Sequence, residues 1–500
     1  MLQQRAAGIL LHISSLPGKY GIGTLGEEAY RFVDLLAEKK IRYWQILPLV
    51  QTGYGDSPYQ SVYSASGNPY FIDFDLLVQE GLLKKSELAR CRYTGKDIDF
   101  AFLYKRKYEV LRLAFERFDT GDADFKAFVE AGQFDGYALF MALKQKFGGV
   151  SFDQWPRGYR FAHRDKLERF RQEARREYLF WQFLQYEFDR QWSALKRYAN
   201  ERNVFIIGDL PLYVAYDSVD VWLRPKLFKL NPDLSLKKIA GVPPDFFTDI
   251  GQLWGNPVYH WAEHKKEGYA WWIERLRQAF VLYDVVRLDH FRGFDRYYEI
   301  EAGSVNAVHG VWRTGPKSEL FQKAEEALGK LPIIAEDLGI QDAGVRRLVR
   351  ETGYPRMKIM GFAFDGNARN EYLPKYIEEN SVCYTGTHDN DTMLGMLLEM
   401  SAKRYRVFVD GVQKMLSYFG ESDRPNSKKD VVKAVVKIAM LCPSRLTVIP
   451  IQDILVLDNR SRMNLPGTVG ENWKFRLKTR LTSDDLSGFG ELVSASQREC

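Results

Sequence analysis

The chain has 500 residues, 45% of them hydrophobic, which is enough for a large core. Its net charge of +6 comes from 71 basic against 65 acidic residues, interleaved as across 164–176, so no basic stripe argues for nucleic acid. No apolar run approaches the roughly 20 residues that a membrane helix needs, and the start of the chain lacks a secretory pattern.

In chain order, residues 8–13 form a first apolar strand, stopped by Ser14, Ser15 and Pro17. A glycine-rich loop leads to a helix over 27–40, with Phe32, Leu35 and Leu36 on one face, and then to a second strand over 43–48. The polar aromatic loop Gly53-Tyr-Gly-Asp-Ser-Pro-Tyr59 follows. Residues 73–202 read as a mainly helical insertion, with helices over 103–118, 125–147 and 164–198. No Pro/Ser-rich linker flanks it, so it packs on the main body as part of a single 1–500 unit. A third strand over 204–208 ends in Asp209, and 210–270 is a long, mostly irregular excursion, a kind of loop that is usually functional.

The fourth strand carries Val285, Val286 and Leu288 and ends in Asp289-His-Phe-Arg-Gly293. Arg287 and Asp289 are two apart and therefore share one side. A fifth strand over 332–335 ends in Glu336. A sixth over 358–364 ends in Asp365, and a seventh over 382–385 leads into Gly386-Thr-His-Asp-Asn-Asp391. Helices over 403–419 and 428–440 precede an eighth strand over 446–451, and a short helix near Trp473 is expected to end the fold. Eight buried strands mostly separated by helices predict an α/β protein, a parallel (β/α)8 TIM barrel.

Asp209, Asp289, Glu336 and Asp389 or Asp391 sit at the C-terminal ends of predicted strands three, four, five and seven, which share one barrel mouth. One such aspartate is commonly a helix cap; four, each beside His, Arg or Gly, point to a site. Several carboxylates in one pocket suit divalent-metal binding or glycosyl transfer. His12, His290 and His388 come singly, one per strand, which disfavours metal; His260-Trp-Ala-Glu-His264 fits a short metal-binding pattern but lies away from the strand ends. For glycosyl transfer, Arg287 should keep Asp289 ionised as a nucleophile. Glu336, held partly protonated by nearby carboxylates, suits a general acid/base. His388 and Asp389 are placed to hydrogen-bond sugar hydroxyls.

At these residues the chain resembles the α-amylase superfamily and, within it, the 4-α-glucanotransferases called amylomaltases or disproportionating enzymes. Gly208-Asp-Leu-Pro211, Arg287-Leu-Asp289, Ala335-Glu-Asp337 and Thr387-His-Asp389 are similar to the superfamily motifs. The loop at 53–59, Val286-Arg-Leu-Asp-His-Phe-Arg-Gly293, Gly241-Val-Pro-Pro-Asp245 and Gly251-Gln-Leu-Trp-Gly-Asn-Pro257 look like amylomaltase signatures, and the likeness covers essentially the whole chain.

The resemblance implies transfer of α-1,4-glucan segments between maltooligosaccharides by a retaining double displacement. Asp289 is then the nucleophile, Glu336 the acid/base and Asp389 the transition-state aspartate. Tyr59, Asp209, Arg287 and His388 match sugar-contacting positions. The loops at 243–254 and around Asn464 arch over the cleft, with Phe247 and Trp254 stacking on glucose units. The implied partners are α-1,4-glucans and maltooligosaccharides, with no nucleic acid, membrane or protein partner. No cofactor is implied, and no acidic calcium cage is apparent, so no metal is expected. Little follows the eighth strand, so the C-terminal β-sandwich usual in amylases is not expected. A hydrolase of the same clan and a non-catalytic glucan-binding protein are the alternatives. Cys91, Cys383, Cys442 and Cys500 are far apart and form no CxxC, which fits a reducing cytoplasm.

Overall fold

A computed structural model describes residues 4–244, 249–339 and 342–499. Phe247 and Cys500, both singled out in the sequence, lie outside the described residues.

Among the described residues, twelve strands divide between two sheets. They are β1 (Ala6–Leu10), β2 (Tyr43–Gln45), β3 (Phe205–Leu210), β4 (Lys238–Val242), β5 (Gln252–Pro257), β6 (Val285–Leu288), β7 (Arg296–Glu301), β8 (Val311–Thr314), β9 (Ile333–Ala335), β10 (Arg356–Ile359), β11 (Ser381–Tyr384) and β12 (Leu446–Pro450). Eight of them close a parallel barrel in the order β1-β2-β3-β6-β9-β10-β11-β12, with β12 pairing back onto β1. These are the eight strands that the apolar runs predict. They are buried on both faces, as strands of a parallel sheet covered by helices must be. In β6, Val285, Val286 and Leu288 are all buried. Tyr384 on β11 donates its hydroxyl across the barrel to Gln45 Oε1 on β2 (2.8 Å), so the interior is filled by side chains.

Some strand ends differ from expectation. The sixth barrel strand stops at Ile359, where a 3-10 turn over Met360–Phe362 takes the chain out of the sheet, so Asp365 does not sit at a strand end. β1 likewise ends at Leu10, before a 3-10 turn at Ile13–Ser15.

Between β2 and β3 lie the helices Phe100–Arg117, Ala123–Glu130, Asp135–Lys146, Arg164–Glu173 and Arg175–Asn200. The expected helix over 125–147 is two, because Gly132 at φ +72° ends the first of them. The expected helix over 164–198 breaks at Ala174, whose φ −105° and ψ 28° leave the helical region. The last helix grips the loop before it by two glutamines. Gln185 accepts from Gly67 N (2.7 Å) and donates to Gly67 O (3.1 Å). Gln191 does the same with Asp73, at 2.8 and 3.4 Å. Buried amides paired on both sides carry no desolvation penalty.

The excursion after β3 is more ordered than the sequence suggests. β4, β5, β7 and β8 form an antiparallel sheet in the order β5-β4-β7-β8. Glycine, proline and asparagine in Gln252–Pro257 disguise a strand that the pairing with β4 enforces. The region around Trp473 is not helical. Trp473 has φ +67°, and the last helix is Ser487–Ala495. Among the described residues no helix is long and apolar enough to cross a membrane.

The lower end of the barrel is closed by Arg498, which is fully buried. Its Nε donates to Met440 O (2.7 Å), Nη1 to Ala6 O and Arg445 O (3.2 Å each), and Nη2 to Cys442 O (2.8 Å) and Ser444 O (2.9 Å). The guanidinium thus joins the starts of β1 and β12. Arg498→Met keeps the bulk and strands these carbonyls. It is expected to lower the free energy of unfolding by about 3 kcal/mol, read as a lower urea midpoint.

Candidate active site

Position along each strand decides which side chains meet. β3 and β6 are neighbours in a register that sets Asp209 beside Arg287. Gly208 makes this close approach possible, because a Cβ there would lie 2.1 Å from the Tyr283 ring. Arg287 Nη1 donates to both carboxylate oxygens of Asp209 (2.8 and 2.6 Å) and to Asp289 Oδ1 (3.1 Å). Arg287 and Asp209 are almost completely buried, whereas Asp289 keeps 25% of its side chain open to the mouth.

β6 and β9 are also neighbours, and Leu288 pairs with Ala335, so Glu336 emerges next to Asp289. Its Oε2 accepts from His290 N (2.7 Å) and its Oε1 from Leu338 N (2.9 Å). His290 sits at φ +47°, a left-handed conformation costly for a residue with a Cβ, and its ring meets the edge of Trp254 at 4.8 Å. Asp337 turns the other way and accepts from Arg356 Nε (2.6 Å).

β11 delivers His388 and Asp389. Asp389 Oδ1 accepts from Asn464 Nδ2 (2.6 Å) and lies 3.3 Å from His388 Nε2. His388 stacks on Tyr59 (ring centroids 5.2 Å, 14° between planes), and Tyr59 donates to Asp209 Oδ2 (2.7 Å). All the predicted site residues with described positions therefore join one contiguous cluster: Tyr59, Asp209, Trp254, Arg287, Asp289, Glu336, His388, Asp389 and Asn464. Trp473 belongs to it as well, 5.7 Å from Tyr59 and 6.0 Å from His388 between ring centroids. The sequence reading put Trp473 in a short closing helix and so gave no signal for its place in the site.

The electrostatics depart from the sequence expectation in two ways. Arg287 gives its shorter bonds to Asp209, so its charge is shared. Desolvation then raises the Asp289 carboxyl well above its ordinary range despite the arginine, with Asp209, Glu336 and Asp389 adding repulsion. Glu336 is also raised, but chiefly by burial rather than by the surrounding carboxylates, while Arg287 and the two backbone N–H groups oppose the shift. Burial lowers His290 to about 4 and also lowers His388, so both imidazoles are neutral near neutral pH.

Below the mouth, Asp453 is buried and accepts from Thr385 Oγ1 and from Met393 N (2.7 Å), which anchors both ends of the loop carrying His388 and Asp389. His264 of the short metal-like pattern is buried between Tyr259, Trp261 and Trp271, with Nε2 at Leu227 O (3.2 Å). Among the described residues no group of three or more His, Cys, Asp or Glu side chains is arranged to hold a metal ion.

The 4-alpha-glucanotransferase family model matches residues 11–482. The chain belongs to that family. A 4-alpha-glucanotransferase of Clostridium butyricum is 41% identical over 95% of this chain and 97% of its own. One from Streptococcus pneumoniae serotype 4 is 43% identical over 99% and 98%. Among solved structures, the amylomaltase from Streptococcus agalactiae in complex with acarbose superposes with a TM-score of 0.93 at 38% identity, over 99% of this chain and 100% of that one. The activity is 4-α-glucan transfer, carried by the barrel described above.

Burial lifts Asp453 from 3.8 to about 6. Its folded-state value exceeds its unfolded one, so the native state binds more protons between those values. Stability accordingly falls as pH rises through that window, by on the order of 3 kcal/mol. Asp453→Asn should remove that part of the decline, measured by comparing urea midpoints of the two proteins at about pH 4 and about pH 7.

Proposed function

We propose that the transfer runs by retaining double displacement with Asp289 as nucleophile and Glu336 as acid/base. The observation that carries this reading is the placement of these two raised carboxyls on adjacent strand ends around one buried guanidinium. When the glucan enters, one proton resides on the pair. Asp289 has the direct charge-assisted bond to Arg287 and takes the negative charge, which leaves the proton on Glu336. Asp289 Oδ attacks the anomeric carbon, the C1–O bond breaks, and Glu336 gives its proton to the departing 4-oxygen. The incoming glucan then loses its 4-hydroxyl proton to the Glu336 carboxylate, attacks C1 and expels Asp289.

Asp389, held by Asn464, stabilises the positive charge that develops on the sugar ring in both steps. Tyr59, Asp209, Arg287 and His388 hold the glucose unit being transferred. Trp254 stacks on a neighbouring unit and keeps water out, which favours a sugar acceptor. The acarbose complex of the Streptococcus agalactiae relative supports α-1,4-glucans and maltooligosaccharides as the ligand class. A cytoplasmic setting is supported by the free, buried thiols of Cys91, Cys383 and Cys442.

Incubation with maltotriose should yield a ladder of longer chains together with glucose or maltose. Products that are only shorter would indicate hydrolysis, and unchanged maltotriose would indicate mere binding. Asp289→Asn and Glu336→Gln should each reduce transfer by at least about 1,000-fold while substrate binding persists. In the pH profile of kcat/KM, the acidic limb should lie above the ordinary aspartate range of about 3.9, because Asp289 must lose a proton that burial helps it keep.

A further inference from the structure

Arg462, on the segment that follows β12, has every side-chain nitrogen engaged, although the proposed chemistry gives it no part. Nη1 donates to Asp391 Oδ1, Nη2 to the main-chain oxygen of Asp389 (2.6 Å), and Nε to the main-chain oxygen of Asn464 (2.7 Å). Its side chain is 20% exposed. Asp391 is itself held from the same segment by Asn459 Nδ2 (3.1 Å). Asn464 returns two bonds to the β11 loop, from its backbone N to His388 O (3.1 Å) and from Nδ2 to Asp389 Oδ1 (2.6 Å). One planar guanidinium therefore ties together the main chain at the two residues whose side chains meet. Lysine, a point charge on a flexible stem, has no such fork.

The β11 loop needs a tie at this place. It borders a cavity of about 30 Å³, lined by His12, Leu47, Thr387, Asp391, Arg462 and Phe475 among others. Close packing does not hold the loop where it borders that space, and the Arg462–Asp391 pair spans it. Asp453 anchors its base, and Arg462 is the tie at its outer part, beside Asp389, whose side chain is 39% exposed.

We propose that Arg462, seated by Asp391, is a positioning residue of the transfer reaction. It sets the spacing between the Asp389 carboxylate and the Asn464 amide, and so holds Asp389 against the sugar ring in the transition state. The inference rests on the role proposed above for Asp389.

The test is steady-state kinetics of the full chain on maltotriose. Arg462→Ala should lower kcat by about 100-fold and change KM by no more than about threefold, because the ground-state contacts of Tyr59, Arg287 and Trp254 are untouched. Guanidinium chloride at non-denaturing concentration should restore part of that kcat, whereas equal sodium chloride should not, and Arg462→Lys should recover only a fraction. Asp391→Asn should lower kcat in the same sense, and the double variant should be no worse than Arg462→Ala alone. A kcat within about twofold of the parent overturns the proposal, as does a loss that guanidinium fails to relieve. Should Arg462→Ala not fold, the isosteric Asp391→Asn decides alone, and parental kcat there overturns it. Asp389→Asn, assayed in parallel, separates the two readings. If it is fully active, the role of Asp389 itself falls. If it is inactive beside a fully active Arg462→Ala, only the positioning role falls.

Discussion

One buried positive charge makes the site possible. Asp209, Asp289, Glu336 and Asp389 all project into the same barrel mouth, and removing carboxylates from water is costly unless a cation or hydrogen-bond donors meet them. Arg287 lies at the centre, bonded to two of the four, and Tyr59 completes the coordination of Asp209 from above. Because Asp209 takes the stronger share of the guanidinium, Asp289 is left incompletely neutralised. This suits the nucleophile role proposed for Asp289, which calls for a group ionised enough to attack and poor enough in partners to leave again.

Around this centre the site is built in two grades of rigidity. Asp209, Arg287, Asp289 and Glu336 lie in or directly after strands of the closed barrel, and adjacent-strand register fixes their spacing. Asp389, His388, Tyr59, Trp254 and Trp473 come from segments outside the barrel strands, held by side-chain hydrogen bonds and ring contacts. The second sheet serves this outer grade. Pairing of β5 with β4 brings Trp254 to the edge of His290, whose own peptide N–H donates to Glu336. A displacement of the aromatic wall would thus be felt at the Glu336 carboxylate through one strained residue.

Much of this was legible in the sequence, for identifiable reasons. Apolar runs such as Val285, Val286 and Leu288 mark buried strands because burial is a property of the residues themselves, and a carboxylate directly after such a run marks the mouth. What escaped depends on partners distant in the chain. The strand character of Gln252–Pro257 arises only from pairing with β4. Trp473 reads as part of a short closing helix until Tyr59 and His388 are set beside it. The ionisation of Asp289 looked like a matter between two residues on one strand, because the competing Asp209 arrives through cross-strand register. Helix ends at Gly132 and Ala174 escaped for a different reason, since periodic sequence on both sides hid a break of four residues, Ala131 to Phe134, in one case and of one residue in the other.

The ring closure at Arg498 bears on how the chain reaches this state. Of the eight barrel strands β1 is made first and β12 last, yet they are hydrogen-bond partners, and the arginine that joins their starts follows both. Until β12 has emerged, one edge of Ala6–Leu10 has no neighbour, and its backbone groups form an open template for another nascent chain. Completion of the barrel is therefore a late, long-range event, slow by the entropy of closing so large a loop. The residues that cap the bottom of the molecule are also those that end its period of vulnerability to aggregation.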